Sequence, residues 1–352
     1  MNLFREQKRR LKRRRQTRLT PEQARALSLY PDVPHKPLDQ IRHELYLLCR
    51  DVERGSWSVD ATITHYFNMG LDRLGSDVRQ YVFQVEFDSA RNALQPPSAT
   101  LLKDKWFTTN LLVLAGCATT RPLFVKSPFL SDATAAAALR ASRHSRFFAK
   151  RVDGKQGEGA FIFEKCGDSF LADGHCLTDQ ELAARLDNCI VEPFICQHEH
   201  LAALYPLAVS SLRIISVCHH GKVEIILGAL FVGAGGSTTS NLHQGGLRIP
   251  IDLHSGSLGE RGIRLHVDRG FFSHHPDSGL PFKSFTIPFW PQVRELVSKA
   301  HRFFHSIHSI GWDIAISPSG PLIIEANDEW GTISFQFTNG PGRELFEKYF
   351  LP

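Results

Sequence analysis

One stretch restricts this chain more than any other: Phe147-Phe148-Ala149-Lys150-Arg151-Val152-Asp153-Gly154-Lys155-Gln156-Gly157-Glu158-Gly159-Ala160-Phe161-Ile162-Phe163. It reads as a strand ending in Lys, a glycine loop and a returning strand, so it demands antiparallel pairing. Glycines let backbone amides close over phosphate oxygens without a Cβ in the way. A Lys at the strand end supplies a point charge for the same phosphates. No G-K-[ST] precedes a helix, which excludes a Walker A loop. The loop leads into a strand, which excludes the dinucleotide fingerprint. Taken alone, the segment serves equally as a structural turn.

The surroundings set the fold class. Beyond Gln95-Pro96-Pro97-Ser98, β-rich apolar runs occur at Leu123–Lys126, Phe147–Arg151, Ala160–Phe163, Cys189–Phe194, Leu212–Cys218, Val223–Val232, Ile314–Ser317 and Leu322–Glu325. Helical patterns separate them at Asp104–Ala115, Asp179–Leu186 and Gln292–His308. This order predicts an α+β domain with antiparallel hairpins over 101–345. Ahead of it, Thr20-Pro21-Glu22-Gln23 has the form of a helix start. Pro31, Pro34 and Pro37 interrupt the chain, and helical periodicity returns near Ile41–Glu53 and Val78–Phe87. Residues 21–100 are therefore read as mostly helical, behind a basic tail at 1–20.

A second hairpin carries acids. Gly311-Trp312-Asp313-Ile314-Ala315-Ile316 and Gly320-Pro321-Leu322-Ile323-Ile324-Glu325-Ala326-Asn327 turn at Pro318-Ser319-Gly320. Period-two alternation puts Glu325 and Asn327 on one side of their strand, with Asp313 across from them. Two carboxylates and an amide oxygen suit Mg2+, with Mn2+ as an alternative ion. The structural reading is that acids flank exposed strands and Asn327-Asp328 forms a turn. Against it, Glu325 follows the buried-looking Ile323-Ile324, where an acid is costly unless paired or metal-bound.

The order of these motifs resembles the ATP-grasp superfamily, most closely the sugar-transfer-associated ATP-grasp proteins, over about residues 100–340. The resemblance implies an α+β ATP-grasp fold, two lobes gripping ATP, with an N-terminal helical extension and a hinge near 190–196. It implies that Lys105 and Lys150 contact phosphates under a loop of Gly154, Gly157 and Gly159. Glu192 would take the adenine amino group, the backbone at Phe194 and Ile195 the ring edge, and Glu199 the ribose. Asp313, Glu325 and Asn327 match the metal ligands. Two departures stand out. Pro193 lacks the amide many relatives keep, and Gly311 stands where the D-alanine–D-alanine ligase pattern has Arg. Arg213, in Ser210-Ser211-Leu212-Arg213, resembles the arginine of the sugar-associated subfamily and could supply that charge. Ser240-Asn241-Leu242-His243-Gln244-Gly245-Gly246 resembles that subfamily's Asn-x-His-Gln-Gly-Gly stretch, with Asn241 near the triphosphate and His243 near the acceptor.

The implied activity is an ADP-forming carboxylate–amine or carboxylate–hydroxyl ligase working through an acyl phosphate, in a setting of polysaccharide or cell-surface glycan modification. Its substrates would be a small-molecule or glycan-linked carboxylate and an acceptor nucleophile. A kinase acting on a hydroxyl and a non-catalytic nucleotide-binding module are the alternatives.

Charge placement bears on partners. Between Arg5 and Arg18 nine basic residues face one acid, Glu6, so a net charge of +5 leaves about −3 for the rest. The basicity belongs to an arm, suited to an anionic membrane surface or a polyanion if it is not simply solvated. The acidic body argues against a nucleic-acid partner. Seven cysteines, none in a C-x-x-C pair, fit a reducing compartment. The start lacks the apolar core of a signal peptide. The expected location is the cytoplasm, with the inner membrane face as the site of any peripheral contact. His301, His305 and His308 lie on one helical face and are read as solvated or interfacial. His219-His220 and His274-His275 are placed in turns.

Overall fold

The computed structural model describes residues 17–50, 52, 58–152, 154, 159–240, 242, 245–265, 269–331 and 333–351. Gly157, Asn241, His243 and residues 5–16 of the basic arm lie outside the described residues. Contacts divide the chain into two units, Met1–Gln95 with Arg261–Phe272 and Trp330–Pro352, and Pro96–Glu260 with Ser273–Glu329. The two later segments join the N-terminal unit.

In the first unit, Thr20 caps the helix Pro21–Leu27 in a reciprocal box with Gln23. Helices Leu38–Cys49, Val59–Asn68, Gln84–Leu94, Ile333–Asn339 and Arg343–Phe350 accompany a hairpin of Gly262–Arg264 and Gly270–Phe272. Ile41, Leu45, Tyr66, Phe67, Leu71, Ile263 and Phe337 share its core. The helix expected over Val78–Phe87 breaks. A 3-10 turn at Val78–Gln80 gives way to extended backbone at Tyr81, and helix resumes at Gln84. Later side chains replace the helical partners: Gln336 bonds both the amide and the carbonyl of Val82, and Arg343 donates to Arg79 O and Tyr81 O.

The second unit holds two antiparallel sheets. The smaller contains β1 (Phe124–Lys126), β2 (Arg146–Arg151), β3 (Phe161–Cys166), β4 (Ser169–Ala172), β5 (His175–Leu177) and β6 (Cys189–Pro193), in the order β1-β6-β2-β3-β4-β5. Phe147, Ala149, Phe163, Phe170 and Val191 turn one face into a core with Ala136, Leu139, Leu182 and Leu186 of the helices Asp132–Ala141 and Asp179–Arg185 and their margins. Alternation then sends Phe148, Lys150, Ile190 and Glu192 to the other face, since Phe148 pairs with Glu192 and Lys150 with Ile190.

The larger sheet sets Gly320–Asn327 beside Ser309–Ser317, then β7 (Ser211–His219), β8 (Lys222–Val232) and β9 (Leu247–Pro250). One row across it reads Glu325, Asp313, Arg213, Ala229, Pro250. The opposite face packs on the helix Trp290–Phe303, which buries Val293, Leu296, Val297 and Ala300. That helix ends at Phe303, short of the expected His308, because the chain must enter the strand at Ser309, where His308 O accepts from Cys218 N. His301 is fully buried rather than solvated. Its Nδ1 takes the Ser216 hydroxyl at 2.6 Å, its Nε2 reaches Ile307 O at 2.9 Å, and Trp312 Nε1 donates to Ser216 Oγ at 2.8 Å. Burial holds the ring's pKa down and so favours the neutral form; Ile307 O can only accept, so in that form Nε2 carries the proton. His275 is also buried, 2.7 Å from Gly233 O.

Two connections join the sheets within this unit. After β6 the chain runs through Phe194 and Ile195 to His198, whose amide donates to Ile316 O. Before β1, Ala118 O accepts from Ile323 N and Thr119 pairs with Ile323. The charged faces of both sheets converge between these connections.

Candidate active site

Lys150, one residue before the end of β2, lies on the face shared with Glu192, and its Nζ is 3.0 Å from Glu192 Oε1. Thr120 Oγ1 donates to the same oxygen at 2.8 Å. Glu192 is buried, 2% exposed, and both contacts fall on Oε1. Lys150 also reaches across to the larger sheet, 3.4 Å from Ile324 O. One lysine thus touches Glu192 of one sheet and the backbone of the strand that carries Glu325 in the other.

Lys105 opens the helix Lys105–Leu114, which Asp104 caps by accepting from Phe107 N at 2.8 Å. Its ammonium donates to Gly154 O at 2.5 Å and stands 3.8 Å from Glu325 Oε1. The glycine loop therefore begins directly over the acidic strand. Gly159, at the loop's far end, has φ +69°, and an added Cβ would lie 2.9 Å from Arg151 Cδ. Only glycine suits that backbone without strain.

On the larger sheet, Asp313 pairs directly with Glu325 on one side and Arg213 on the other. Cross-strand partners project from the same face, so both carboxylates and the guanidinium meet. Arg213 grips Asp313 through Nε to Oδ1 at 2.6 Å and Nη2 to Oδ2 at 2.9 Å. Asn327 donates weakly to Asp313 Oδ2 at 3.3 Å and Gly311 O at 3.4 Å. Burial pushes the Glu325 carboxyl up, and the Asp313 charge adds to it. Lys105, Lys150 and Arg213 pull the other way. Burial works against the Arg213 charge, but Asp313 outweighs it and the net direction is up.

The donor set of Asp313, Glu325 and Asn327 is hard oxygen from two acids and an amide, which fits Mg2+ or Mn2+ completed by water and phosphate. No cluster of three or more His, Cys, Asp or Glu suited to a metal occurs among the described residues.

The hinge residues are divided. Phe194 N–H is already committed to Arg146 O at 2.9 Å, so it has no proton left for a ring edge. What Phe194 contributes is its side chain, with the Arg146 guanidinium 4.1 Å above the ring. Ile195 is half-buried, and Glu199 is exposed at the start of the helix Glu199–Leu204. Three residues carried no cue in the sequence. Thr120 orients Glu192. Phe231 and Arg248 pair across β8 and β9 on the Arg213 face. Each guanidinium, of Arg213 and of Arg248, stands 5.9 Å from the Phe231 ring centroid. Arg248 is fully buried, and burial followed by the Arg213 charge works against its own charge.

The chain belongs to the sugar-transfer associated ATP-grasp family, which it matches over residues 84–348. No curated protein matches it. Among solved structures it is similar to an ADP complex of PurK, an N5-carboxyaminoimidazole ribonucleotide synthetase, at 10% identity and TM-score 0.40, covering 66% of this chain and 46% of that one. It is similar to D-alanyl-alanine synthetase A from Vibrio cholerae at 11% identity and TM-score 0.40, covering 66% and 57%. The D-alanine-D-alanine ligase from Coxiella burnetii matches at 14% identity and TM-score 0.40, covering 76% and 62%. The chain thus spans about half the length of the first two. The fold is ATP-grasp by family, and the two antiparallel sheets with their helices are its α+β architecture.

Proposed function

We propose that this protein is an ADP-forming ATP-grasp ligase that activates a carboxylate. The observation that carries the reading is the convergence of Lys105 and Lys150 on the strand that presents Glu325, with Asp313 in register beside it. Lys150 reaches this strand from the smaller sheet, and Lys105 stands 3.8 Å from Glu325 itself. Lys105, Lys150 and Arg213 would hold the triphosphate, and Asp313, Glu325 and Asn327 would hold Mg2+. The metal, when bound, neutralises phosphate charge and aligns the γ-phosphoryl group.

In the proposed reaction a substrate carboxylate oxygen attacks the γ-phosphorus. The P–O bond to the β-phosphate breaks, and ADP departs with the electron pair. The acyl phosphate then meets an amine or hydroxyl. A new C–N or C–O bond forms, phosphate leaves, and the nucleophile gives up its proton. The role of Lys105, Lys150 and Arg213 is to stabilise charge moving towards the β-phosphate and the departing phosphate.

The family's association with sugar transfer supports a glycan-linked or sugar-derived substrate. No helix among the described residues is long and apolar enough to cross a membrane. The basic arm at 5–18 would then bring a cytoplasmic protein to an anionic surface where such glycans are built. The test is phosphate release from ATP, screened against amino acids, uronic acids and nucleotide sugars. Carboxylate-dependent release trapped by hydroxylamine as a hydroxamate is the expected result. A stable phosphate ester with no hydroxamate identifies a kinase, and no release with retained ADP binding identifies a nucleotide-binding module.

A further inference from the structure

Among the described residues, six charged groups meet here in three pairs of opposite sign, Lys105, Lys150 and Arg213 with Glu192, Asp313 and Glu325, and the buried Arg248 stands beyond them across the Phe231 ring. Each cation of the three pairs is already set against an acid. Lys150 lies 3.0 Å from Glu192, Arg213 holds Asp313 through two hydrogen bonds, and Lys105 stands 3.8 Å from Glu325. The two carboxylates suited to the metal therefore face resident cations, in surroundings where Asp313 is 15% and Glu325 31% exposed along their side chains.

From this pairing we infer that Arg213 and Lys105 bar a free divalent ion from Asp313 and Glu325 until nucleotide phosphates draw the two cations away. The inference rests on the nucleotide reading above. A free divalent cation must compete with Arg213 and Lys105 for Asp313 and Glu325, and it brings two positive charges to groups already paired. A metal–nucleotide complex avoids this. Its phosphates offer new partners to Lys105, Lys150 and Arg213 while its metal takes the released carboxylates, so every charge keeps an opposite neighbour. Arg213 and Lys105 thereby act as gatekeepers of the metal as well as phosphate ligands. Removing either should weaken nucleotide binding yet strengthen metal binding measured without nucleotide. A purely phosphate-binding role does not give that second sign.

The experiment titrates Mn2+ alone, and Mn2+ with ADP, into the full chain while free Mn2+ is followed by electron paramagnetic resonance. Arg213→Gln and Lys105→Gln are each expected to bind Mn2+ alone about tenfold more tightly than the parent, one opposing charge nearby having been removed. Adding Asp313→Asn to either variant should abolish that gain. Two variants in separate elements guard against one failing to fold. The inference is overturned if the parent and both variants bind Mn2+ alone equally, or if the variants bind it more weakly. If ADP with Mn2+ fails to bind even the parent, the nucleotide reading itself falls, an outcome that differs from the first.

Discussion

Lys150 and Glu192 leave adjacent strands on the same face of the smaller sheet and meet at 3.0 Å, with Thr120 closing on the same carboxylate oxygen at 2.8 Å. The pair is nearly withdrawn from solvent, with side chains 11% and 3% exposed. Removing one partner of a buried pair strands the other charge, at a cost of about 3–5 kcal/mol. Lys150→Met should therefore destabilise the protein by about that much. The double variant Lys150→Met/Glu192→Gln should be the more stable of the two, because no lone carboxylate remains. Urea denaturation of the two singles and the double forms the cycle that measures this coupling. Additive losses would mean that the two groups do not sense each other.

Asn327 tests the metal ligands with little risk to the fold. Its two donations, at 3.3 and 3.4 Å, are long, so Asn327→Ala should cost no more than about 1 kcal/mol of stability. Turnover should fall by about 10²–10³, the usual effect of losing one group that stabilises transition-state charge. Thermal melts and ATP-dependent phosphate release check the two halves. A variant that keeps the parental rate would remove Asn327 from the ligand set.

His301 gives the pH dependence. Burial pulls its pKa down to about 4, against an ordinary value near 6.5. As pH falls from about 6.5 to 4, the unfolded chain takes a proton at this ring that the folded chain refuses. Stability is therefore whole above that window and is lost on acidification through it, by about 3 kcal/mol at full effect. His301→Gln should flatten this part of the profile while lowering stability at pH 7. Urea midpoints of parent and variant at pH 7, 5.5 and 4.5 would show it, the carboxylates common to both cancelling in the difference.

The sequence discloses those parts of the site that are local and periodic. Lys150 sits near the end of an alternating strand, and Glu325 and Asn327 are two apart, so their shared face follows from the period of a strand alone. The meeting of Asp313 with Glu325 is only half legible: the short turn at Pro318-Ser319 alone would set Asp313 opposite Ile324, and a register shift between Asp313 and Ile314 brings Glu325 there instead. Arg248 is different. Nothing in Gly245-Gly246-Leu247-Arg248-Ile249-Pro250 gives a spacing cue, and only the pairing of Arg248 with Phe231 brings it to the Arg213 face. Thr120 similarly meets Glu192 across 72 residues. The break at Tyr81 is hidden for the same reason, since its cause lies in Gln336 and Arg343, more than two hundred residues away. His301 looked like part of a solvated stripe because helical spacing cannot show that the Ser216 hydroxyl waits on the strand beneath.

Base selectivity should rest on the Glu192 carboxylate. Thr120 and Lys150 both act on Oε1, which fixes the carboxylate, and the nucleotide reading has Oε2 accept the adenine amino group. With the Phe194 amide spent on Arg146 O, the hinge has fewer backbone groups to read a purine, so the side chain carries more of the choice. Adenine offers an amino group to Oε2, whereas guanine presents a carbonyl there, and two acceptors facing each other leave a buried carboxylate oxygen unpaired. Such a mismatch costs about 1–3 kcal/mol. ADP should accordingly bind about 10–100-fold more tightly than GDP in the presence of Mg2+. Glu192→Gln keeps the shape but lets the side-chain amide donate to the guanine carbonyl. That variant should narrow the ratio from both ends, losing ADP affinity and gaining GDP affinity. Calorimetric titration of both nucleotides into parent and variant measures it. A variant that weakens both equally would show Glu192 to be a structural partner of Lys150 and no reader of the base.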